Sequence, residues 1–388
     1  MDFDLSIDQT VIRRAMREFA AQFPDDYWAA KDAAHEFPTE FFEAFAAAGW
    51  LGVATPEQYG GQGLGITEAS LVLEELAASG AGLNGASAVH MSIFGMQPLL
   101  RHGSEEMKHR VLPEVGSGSK QVCFGVTEAD AGLDTTRIST FARRDGDTYV
   151  INGRKVWISK ADKSDLILLL ARTTRFAEVE NKTDGLSLFL TDLDPDRVEI
   201  RPIAKMGRNA VASCELFIDA LPVPAEHRIG DEGEGFRYLL AGLNAERMLL
   251  AAEALGLGRA ALRRATRYAA EREVFGRPIG MNQAIQFPLA DAMARLDAAE
   301  LVLRKATWLY DRGLPCAREA NTSKYLCADA GFDATDRALQ THGGMGYAEE
   351  YHVARYFREA RLIKIAPISQ ELTLSYLGHH VLGLPKSY

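Results

Sequence analysis

One acidic residue of this sequence combines a reactive side chain with an apolar setting. Glu246 lies in the segment LLAGLNAERMLLAAEAL, where leucines at i−7, i−3 and i+4 share its helical face and Glu253 follows at i+7. A carboxylate on such a face is costly unless it is paired or functional, for instance as an acceptor of protons. An interhelical ion pair with Arg247 or Arg259 explains the pattern equally well, so the residues alone leave both interpretations open.

Three glycine clusters have the composition of phosphate-binding turns. GLGRAA (256–261) matches the dinucleotide fingerprint G-x-G-x-x-A, which needs a strand before it and a helix that begins at it. Here the cluster lies inside a continuous helical pattern, which favours close helix packing at small residues and disfavours a Rossmann site. GGQGLG (60–65) and HGGMGY (342–347) have the same capacity, but isolated glycine clusters are more often turns.

Aromatic and hydroxyl side chains lie at the ends of two predicted strands. Trp157 and Ser159 close one strand, and Thr127-Glu128 follows an earlier one. Taken alone, the first pair fits a packed strand aromatic beside a solvated hydroxyl, and the second pair fits the opening of a turn.

The elements that must position these residues fall into three segments. Helical periodicity covers 1–118, β patterns cover 119–228, and helical patterns return over 229–388. Asn152-Gly153, between two alternating runs, predicts a hairpin turn in the middle segment. In the last segment, 235–273 contains no proline and predicts a long helix.

Composition limits the partners of the chain. It has 388 residues, 47% hydrophobic and 25% charged, which is typical of a globular protein, and a formal net charge of −10. An acidic surface disfavours nucleic acid and anionic membranes as partners, while a local basic pocket for a phosphorylated small molecule is compatible with it. The longest clean apolar run, residues 166–171, is too short to span a bilayer.

The cysteines and the first residues indicate the compartment. The 4 cysteines form no C-x-x-C pair and have no zinc-like spacing, which fits a reducing compartment, buried apolar thiols and no metal site. The start of the sequence, MDFDLSIDQT, carries acids where a signal peptide carries bases. We therefore expect a cytoplasmic protein without a membrane span.

Several segments together resemble the acyl-CoA dehydrogenase family of flavoproteins. They follow one another in the family's order and cover nearly the whole chain: CFGVTEADAGLD (123–134), YVINGRKVWIS (149–159), ERMLLAAEALGLGRAALRRATRYAAEREVFGRPI (246–279), QTHGGMGY (340–347) and RYFREARLIKI (355–365). The resemblance implies an α+β fold, mostly α. An N-terminal helical domain, a central β-barrel or β-sandwich domain and a C-terminal four-helix bundle would make up this fold.

The resemblance also implies FAD as the cofactor. Residues of the middle segment would cover and hydrogen-bond the isoalloxazine ring: Phe124, Val126, Thr127, Gly132, Trp157 and Ser159. The diphosphate and adenine side of the FAD of a neighbouring subunit would meet Arg272, Phe275 and Gln283, which implies a homo-oligomer, in this family a homotetramer. The same diphosphate would be held by Gln340, Gly343 and Gly344, and Ser369 would lie near the cofactor.

For the reaction, the resemblance implies dehydrogenation of an acyl-CoA thioester, of medium, long or branched chain, to the trans-2-enoyl-CoA in fatty acid and lipid metabolism. A carboxylate removes the α proton while the β hydrogen leaves as hydride to the flavin, and an electron-transfer flavoprotein then takes the electrons. Asn244 and Arg247 resemble the residues that steady the CoA end. Leu133 is the third residue that the resemblance places at the substrate, and it stands where the family usually has a Ser, which weakens one expected CoA contact.

The position of the base departs from most of the family. Aligned through residues 358–365, the position of the usual Glu is occupied by Pro367, which cannot act as a base. An isovaleryl- and long-chain-type subgroup carries the Glu on the long helix instead, and Glu246 falls at that place, in L-x-x-E-R. The resemblance therefore favours Glu246 as the base.

The same proline affects the binding of the thioester oxygen. Pro367 lacks the backbone N–H that helps to bind this oxygen in the family, so the N–H of Ile368 or another donor must replace it. Ala366 stands in place of a bulkier aromatic, which leaves room for a branched or long acyl chain. Two alternatives stay open: an oxygen-using oxidase or monooxygenase on the same fold, and a catalytically impaired acyl-CoA-binding flavoprotein.

Overall fold

The computed structural model describes residues 4–386, apart from the side chain of Ala241. Helices form the first part of the chain: α1 (Ile7–Ala20), α2 (Asp25–Ala34), α3 (Thr39–Ala47), α4 (Ile66–Leu76), α5 (Gly82–Phe94), α6 (Gln97–His102) and α7 (Glu105–Gly116). Their core is aromatic, because Trp28, Phe41 and Phe45 are fully buried. The rings of Trp28 and Phe41 meet edge to face with centroids 4.9 Å apart.

A sheet follows, made of β1 (Val122–Gly125), β2 (Phe141–Asp145), β3 (Thr148–Ser159), β4 (Leu166–Arg172), β5 (Leu186–Asp192), β6 (Val198–Pro202), β7 (Ser213–Pro224) and β8 (Arg228–Ile229). The strand order is β6-β7-β3-β2-β4-β5-β8, and β1 pairs in parallel with β4. Every residue of β4 is buried, as expected for a strand that is covered on both faces.

The hairpin predicted at Asn152-Gly153 is wrong. β3 runs through both residues and pairs with β2 on one side and β7 on the other. The turn between β2 and β3 lies at Gly146, whose φ is 62°. Gly153 instead allows the backbone of β3 to pass close to Thr140, since a Cβ on Gly153 would lie 2.3 Å from Thr140 Oγ1.

The last part of the chain contains α8 (Gly235–Glu271), α9 (Gln283–Asp311), α10 (Ala317–His342), α11 (Val353–Ile363) and α12 (Gln370–Tyr376), with the short strands β9 (Glu273–Val274) and β10 (Arg277–Pro278) between α8 and α9. A Cβ on Gly256 of α8 would lie 2.1 Å from the carbonyl oxygen of Glu74, and one on Gly258 would lie 2.9 Å from Gly331 Cα. The interpretation of GLGRAA as a helix-packing motif is therefore confirmed.

The cluster GGQGLG forms a turn, as expected for an isolated glycine cluster. A Cβ on Gly61 would collide with the carbonyl oxygen of Thr55 at 2.0 Å. The helix that follows, α4, is capped by another part of the chain, because Ile66 N and Thr67 N donate to the Asp311 carboxylate at 2.8 and 2.9 Å. The first amides of this helix thus already have an anionic partner.

Two general expectations can be compared with the fold. Cys123, Cys214, Cys316 and Cys327 are buried free thiols, which confirms their use as small apolar side chains. Within residues 4–386, no helix is both long and apolar enough to cross a membrane.

Candidate active site

Glu246 is a buried carboxylate near the middle of the bundle. Only 6% of the residue is exposed, and its side chain has no hydrogen bond or ion pair with another residue of the described chain. Burial raises the pKa of Glu246 to about 7, against the attraction of Arg247 and with the repulsion of Glu253. At neutral pH this carboxyl group is therefore poised to exchange a proton.

The ion pairs that offered an alternative explanation for Glu246 are not formed. Arg259 turns to α4 instead, where its Nη1 donates to Glu74 Oε1 at 2.7 Å. Arg247 Nη1 donates to Asn244 Oδ1 at 2.9 Å. The structure thus brings together the two residues predicted to steady the CoA end, one turn of helix apart and directly beside Glu246.

Glu253, two turns further along α8, has a partner that the sequence did not indicate. Its Oε1 lies 2.8 Å from Nδ1 of His90 on α5, and both side chains are buried. The other oxygen of Glu253 has no hydrogen-bond partner in the described structure. His90 lies 163 residues away in the chain, so no local pattern could have paired the two residues.

The loop after β1 is held by a buried ion pair. Glu128 Oε1 accepts from Lys155 Nζ at 2.9 Å, and the same carboxylate accepts from the backbone N–H and the hydroxyl of both Ser139 and Thr140. Although burial opposes it, the Lys155 ammonium and these hydrogen bonds lower the pKa of Glu128 to about 2. Sequence reasoning assigned Glu128 only to a turn and missed this role.

The same interactions fix the residues predicted to face the flavin ring. Lys155 Nζ donates to the carbonyl of Val126 at 3.0 Å, and Val156 N donates to the carbonyl of Thr127 at 2.9 Å. The loop is thereby fastened to β3 at two successive residues. Phe124 on β1 is partly buried against the core, and Gly132 has open space where a Cβ would lie. Further along, Leu133 is 65% exposed.

Trp157 projects from the sheet at a β-bulge. The register of β3 and β7 shifts between Lys155 and Ile158, and Trp157 between them has a φ of 62°. A bulky residue in this conformation costs about 1–3 kcal/mol, and the result is an indole that is 57% exposed. Ser159, two residues on, is half-buried, and its Oγ accepts from Nη2 of Arg208 at 3.1 Å.

The residues predicted for the diphosphate and adenine form a second, exposed group at the end of α8. Arg272 ends α8, and its N–H donates to the carbonyl of Tyr268. Phe275 is fully exposed with a φ of 55°, and Gln283 is exposed at the start of α9. None of these three side chains is hydrogen-bonded to the flavin-ring group in the described part of the chain. A second subunit, as the resemblance implies, is what would join the two groups.

The turn after α10 lies beside this second group. His342 stacks on Tyr268 of α8 with ring centroids 4.2 Å apart, which places Gln340, Gly343 and Gly344 near the end of α8. Gly343 has a φ of 60°, and open space lies where a Cβ on either glycine would be. Backbone at this turn is therefore accessible to a phosphate. The hydroxyl of Ser369 caps the start of α12, where it accepts a hydrogen bond from Leu372 N.

The backbone on both sides of Pro367 is hydrogen-bonded to a buried cation, Lys324. Lys324 on α10 is fully buried, and its Nζ donates to the carbonyls of Ile363 and Ile368 at 2.7 and 2.5 Å. The N–H of Ile368 has no hydrogen-bond acceptor within residues 4–386. This amide is the donor that the sequence suggested in place of the N–H that Pro367 lacks.

A cavity of about 540 Å³ opens next to Arg247. Most of its lining comes from residues 368–386, including Ile368 and Tyr376, and α8, α10 and Lys182 of the middle segment complete it. The charged lining groups are predominantly basic: Lys182, Arg247 and Lys386, with Glu371 as the acid, and the imidazoles of His379 and His380 also line the cavity. This is a local basic pocket on an acidic protein.

The residues present fit a large flat ring system that carries a diphosphate. Trp157 and Phe275 are aromatic side chains that the backbone presents to solvent at positive φ instead of packing them. Gly343 and Gly344 leave backbone open to close approach. A half-buried hydroxyl, Ser159, lies near the exposed indole. Groups of these kinds suit an aromatic ring system and a diphosphate such as those of FAD.

The fold and this set of groups define a flavin-dependent oxidoreductase. The family descriptions "Acyl-CoA dehydrogenase, N-terminal domain", "middle domain" and "C-terminal domain" match residues 6–119, 123–221 and 233–381. The chain belongs to the acyl-CoA dehydrogenase family, and FAD is its cofactor. The resemblance drawn from the sequence motifs is thereby confirmed.

Relatives and solved structures agree along the whole chain. The acyl-CoA dehydrogenase FadE12 of Mycobacterium tuberculosis is 38% identical over 387 residues, 99% of this chain and 98% of that protein. Butyryl-CoA dehydrogenase from Megasphaera elsdenii superposes with a TM-score of 0.93 at 29% identity, over 98% of this chain and 100% of that one. The FAD complex of PigA superposes with a TM-score of 0.93 at 25% identity, over 99% and 100%.

The Glu128–Lys155 ion pair can be removed to test its role in holding the loop after β1. Glu128→Gln leaves the buried ammonium of Lys155 without its anion, so we expect the free energy of unfolding to fall by about 3 kcal/mol and the FAD content to drop. Urea denaturation and the flavin absorbance of the purified protein measure the two effects. Glu215→Gln is the matched control, because Glu215 pairs with Arg154, which is 55% exposed on β3, and its loss should cost less than about 1 kcal/mol. Equal costs would contradict this account of the loop.

Proposed function

We propose that this enzyme dehydrogenates an acyl-CoA thioester of medium, long or branched chain to the trans-2-enoyl-CoA, with Glu246 as the base. The observation that carries the proposal is the buried carboxylate of Glu246, which has no partner in the described chain and whose pKa is raised to about 7. A base with this pKa holds enough negative charge at neutral pH to act and enough basicity to take a weakly acidic α proton. Its position on α8 corresponds to the isovaleryl- and long-chain-type subgroup.

Different residues of the chain have different roles in the proposed reaction. Glu246 takes the α proton onto a carboxylate oxygen, while Thr127, Trp157 and Ser159 hold and cover the ring of the cofactor. FAD, when bound, supplies the acceptor for the hydride that leaves Cβ. The thioester oxygen gains negative charge as the proton leaves, and the free N–H of Ile368 is a donor suited to it. Lys324 fixes the backbone that carries this donor through the carbonyls of Ile363 and Ile368.

The basic cavity supports CoA as the carrier of the acyl group. Arg247 reaches the cavity from α8 and is oriented by its hydrogen bond to Asn244. Lys182, His380 and Lys386 add cationic groups or potential hydrogen-bond donors to the lining, where the phosphates of CoA would bring negative charge. Leu133, exposed on the loop after β1, provides no polar contact. The binding of CoA therefore depends on the C-terminal side of the cavity.

Exposed apolar residues support assembly into a homotetramer. Phe275 is fully exposed, and the outer face of α9 presents Phe287, Leu301 and Trp308 with 61%, 55% and 48% of their surfaces exposed. Apolar groups on this scale mark surfaces that another protein covers.

The proposed assembly can be measured directly. We expect static light scattering to give the mass of four chains, and Phe275→Ser to weaken both assembly and FAD retention. A wild-type holoenzyme that stays monomeric would exclude this arrangement.

The proposed setting follows from the same chemistry. The reduced cofactor would pass its electrons to an electron-transfer flavoprotein, and the reaction belongs to fatty acid and lipid metabolism in the cytoplasm. The oxidase and monooxygenase alternatives differ at this step, because oxygen would then take the electrons directly.

The role of Glu246 is tested by anaerobic flavin bleaching. Glu246→Gln keeps the shape of the side chain and removes the basic carboxylate, so we expect FAD retention and a rate of bleaching by acyl-CoA about 10²- to 10⁴-fold lower. Glu246→Asp keeps a carboxylate one methylene further back and should retain more of the rate. A panel of straight, branched and cyclic acyl-CoAs serves as substrate in stopped-flow measurements.

Two outcomes of this experiment separate the alternatives. Unchanged bleaching in Glu246→Gln removes Glu246 from the mechanism, and wild-type protein that binds every acyl-CoA without bleaching is an impaired binding protein. Fast reoxidation of the substrate-reduced wild type by air identifies an oxidase.

The pKa of Glu246 sets the pH dependence of the reaction. Because only the deprotonated carboxylate accepts a proton, the rate of bleaching at low acyl-CoA concentration should rise tenfold per pH unit below pH 7 and level off above it, as the pKa of about 7 requires. Stopped-flow rates between pH 5.5 and about 8.5 measure the profile. A flat profile across this range would mean that another group, or a carboxylate with an ordinary pKa, is the base.

A further inference from the structure

Arg208 is a buried cation in the connection between β6 and β7. Only 6% of the residue is exposed. Its Nη1 donates to Ser87 Oγ at 3.3 Å, and its Nη2 donates to Ser159 Oγ at 3.1 Å and Ser213 Oγ at 2.7 Å. The guanidinium thus links α5, the end of β3 and the start of β7 through three hydroxyl groups.

The hydrogen-bond partners of Arg208 are neutral, although the side chain is buried. Arg355, which is equally buried, has a carboxylate at 3.0 Å in Glu359, whereas no carboxylate within residues 4–386 lies close enough to Arg208 to form an ion pair. Nε of Arg208 has no hydrogen-bond partner in the described chain. A buried cation held only by neutral hydroxyls is expensive, so a negative charge that arrives from outside the chain would account for it.

Several charged or titratable groups face Arg208 at longer range. Glu253 on α8, Glu359 on α11 and the thiol of Cys214 on β7 act on it electrostatically. Lys205 lies on the same connection, and its Nζ donates to the carbonyls of Gly207 and Arg208. The two acids already have closer partners, Glu253 in His90 and Glu359 in Arg355. Burial lowers the pKa of Arg208 to about 10, so the guanidinium stays charged at neutral pH.

Ser159 connects this cation to the cofactor side of β3. A guanidinium only donates hydrogen bonds, so the Ser159 oxygen accepts from it and the hydroxyl proton is left to point elsewhere. Ser159 is half-buried and lies two residues from the exposed Trp157. The proton of Ser159 is therefore available as a donor towards the cleft in which the ring of FAD would lie.

We infer that Arg208 is a positioning residue for the flavin: it turns Ser159 into a hydrogen-bond donor towards the ring and provides the positive charge that stabilises the reduced form. This rests on the contact between Ser159 and the flavin that the proposed function assumes. The charge that the flavin gains on reduction explains why a cation would help. The β carbon gives up a hydride, two electrons and one proton, while the α proton stays on Glu246, so the flavin gains one negative charge. A fixed cation behind Ser159 favours this form and raises the reduction potential.

The reduction equilibrium of the bound FAD against a reference dye tests the inference without any acyl-CoA. Arg208→Gln keeps donors for the serines but removes the charge, and we expect its equilibrium to move at least tenfold towards oxidised flavin, a shift of about 30 mV for a two-electron couple. Arg208→Lys keeps the charge and should stay within about threefold of the wild type. Ser213→Ala is the matched control, because it removes one hydrogen bond of Arg208 but keeps the charge and the Ser159 hydroxyl, and its equilibrium should stay within about threefold of the wild type.

The outcomes decide between a structural and an electrostatic role. If Arg208→Gln retains FAD and the equilibrium of the wild type, the inference is overturned, because a purely structural residue would leave the potential where it was. If Arg208→Gln does not retain FAD, Arg208→Lys decides: an equilibrium near that of the wild type supports the role of the charge, and a tenfold loss overturns it. Wild-type protein that no acyl-CoA bleaches would contradict the proposed function alone, since the dye equilibrium involves no acyl-CoA.

Discussion

The structure depends on keeping one carboxylate, Glu246, away from water without giving it a counter-ion. Desolvation is the largest influence on this group, and it persists only because the surrounding helices exclude solvent. α8, the helix that carries Glu246, approaches α4 closely at Gly256, where a Cβ would lie 2.1 Å from the Glu74 carbonyl oxygen, and α10 at Gly258, so this helix is packed tightly into the bundle.

Several other buried charges in the described chain have partners that offset their desolvation. Lys155 has Glu128, and Lys324 has two carbonyls. Glu253 has the ring of His90. Glu246 and Arg208 differ from these, since the first has no polar partner in the described chain and the second has only hydroxyls. Strongly perturbed titratable groups are concentrated at functional sites. Glu246 lies between the predicted substrate residues Asn244 and Arg247 on α8, and Arg208 contacts the predicted flavin residue Ser159.

Local patterns in the sequence predicted the elements that periodicity controls. The proline-free stretch 235–273 is α8 almost to the residue, and the placement of Glu246 on a buried face is confirmed. The hairpin at Asn152-Gly153 failed because pairing with β2 and β7 overrides the local turn preference, and Asn152 Oδ1 instead accepts from Ala220 N at 2.9 Å. Propensity is a weak constraint on a central strand.

The part of the site that the sequence could not predict is made by distant contacts. Arg208 reaches Ser87 across 121 residues and Ser159 across 49, and nothing in the segment KMGRNA indicates a buried guanidinium. Arg208 and Glu253 would together favour the movement of negative charge in one direction, from Glu246 towards the flavin. In the proposed reaction Glu246 would take up a proton, so one negative charge would leave α8, where the neighbouring Glu253 disfavours it. An equal charge would be gained by the flavin, where Arg208 would favour it. The net charge of the site would therefore stay constant during the proposed reaction, and the displacement of charge would follow the field of Arg208 and Glu253.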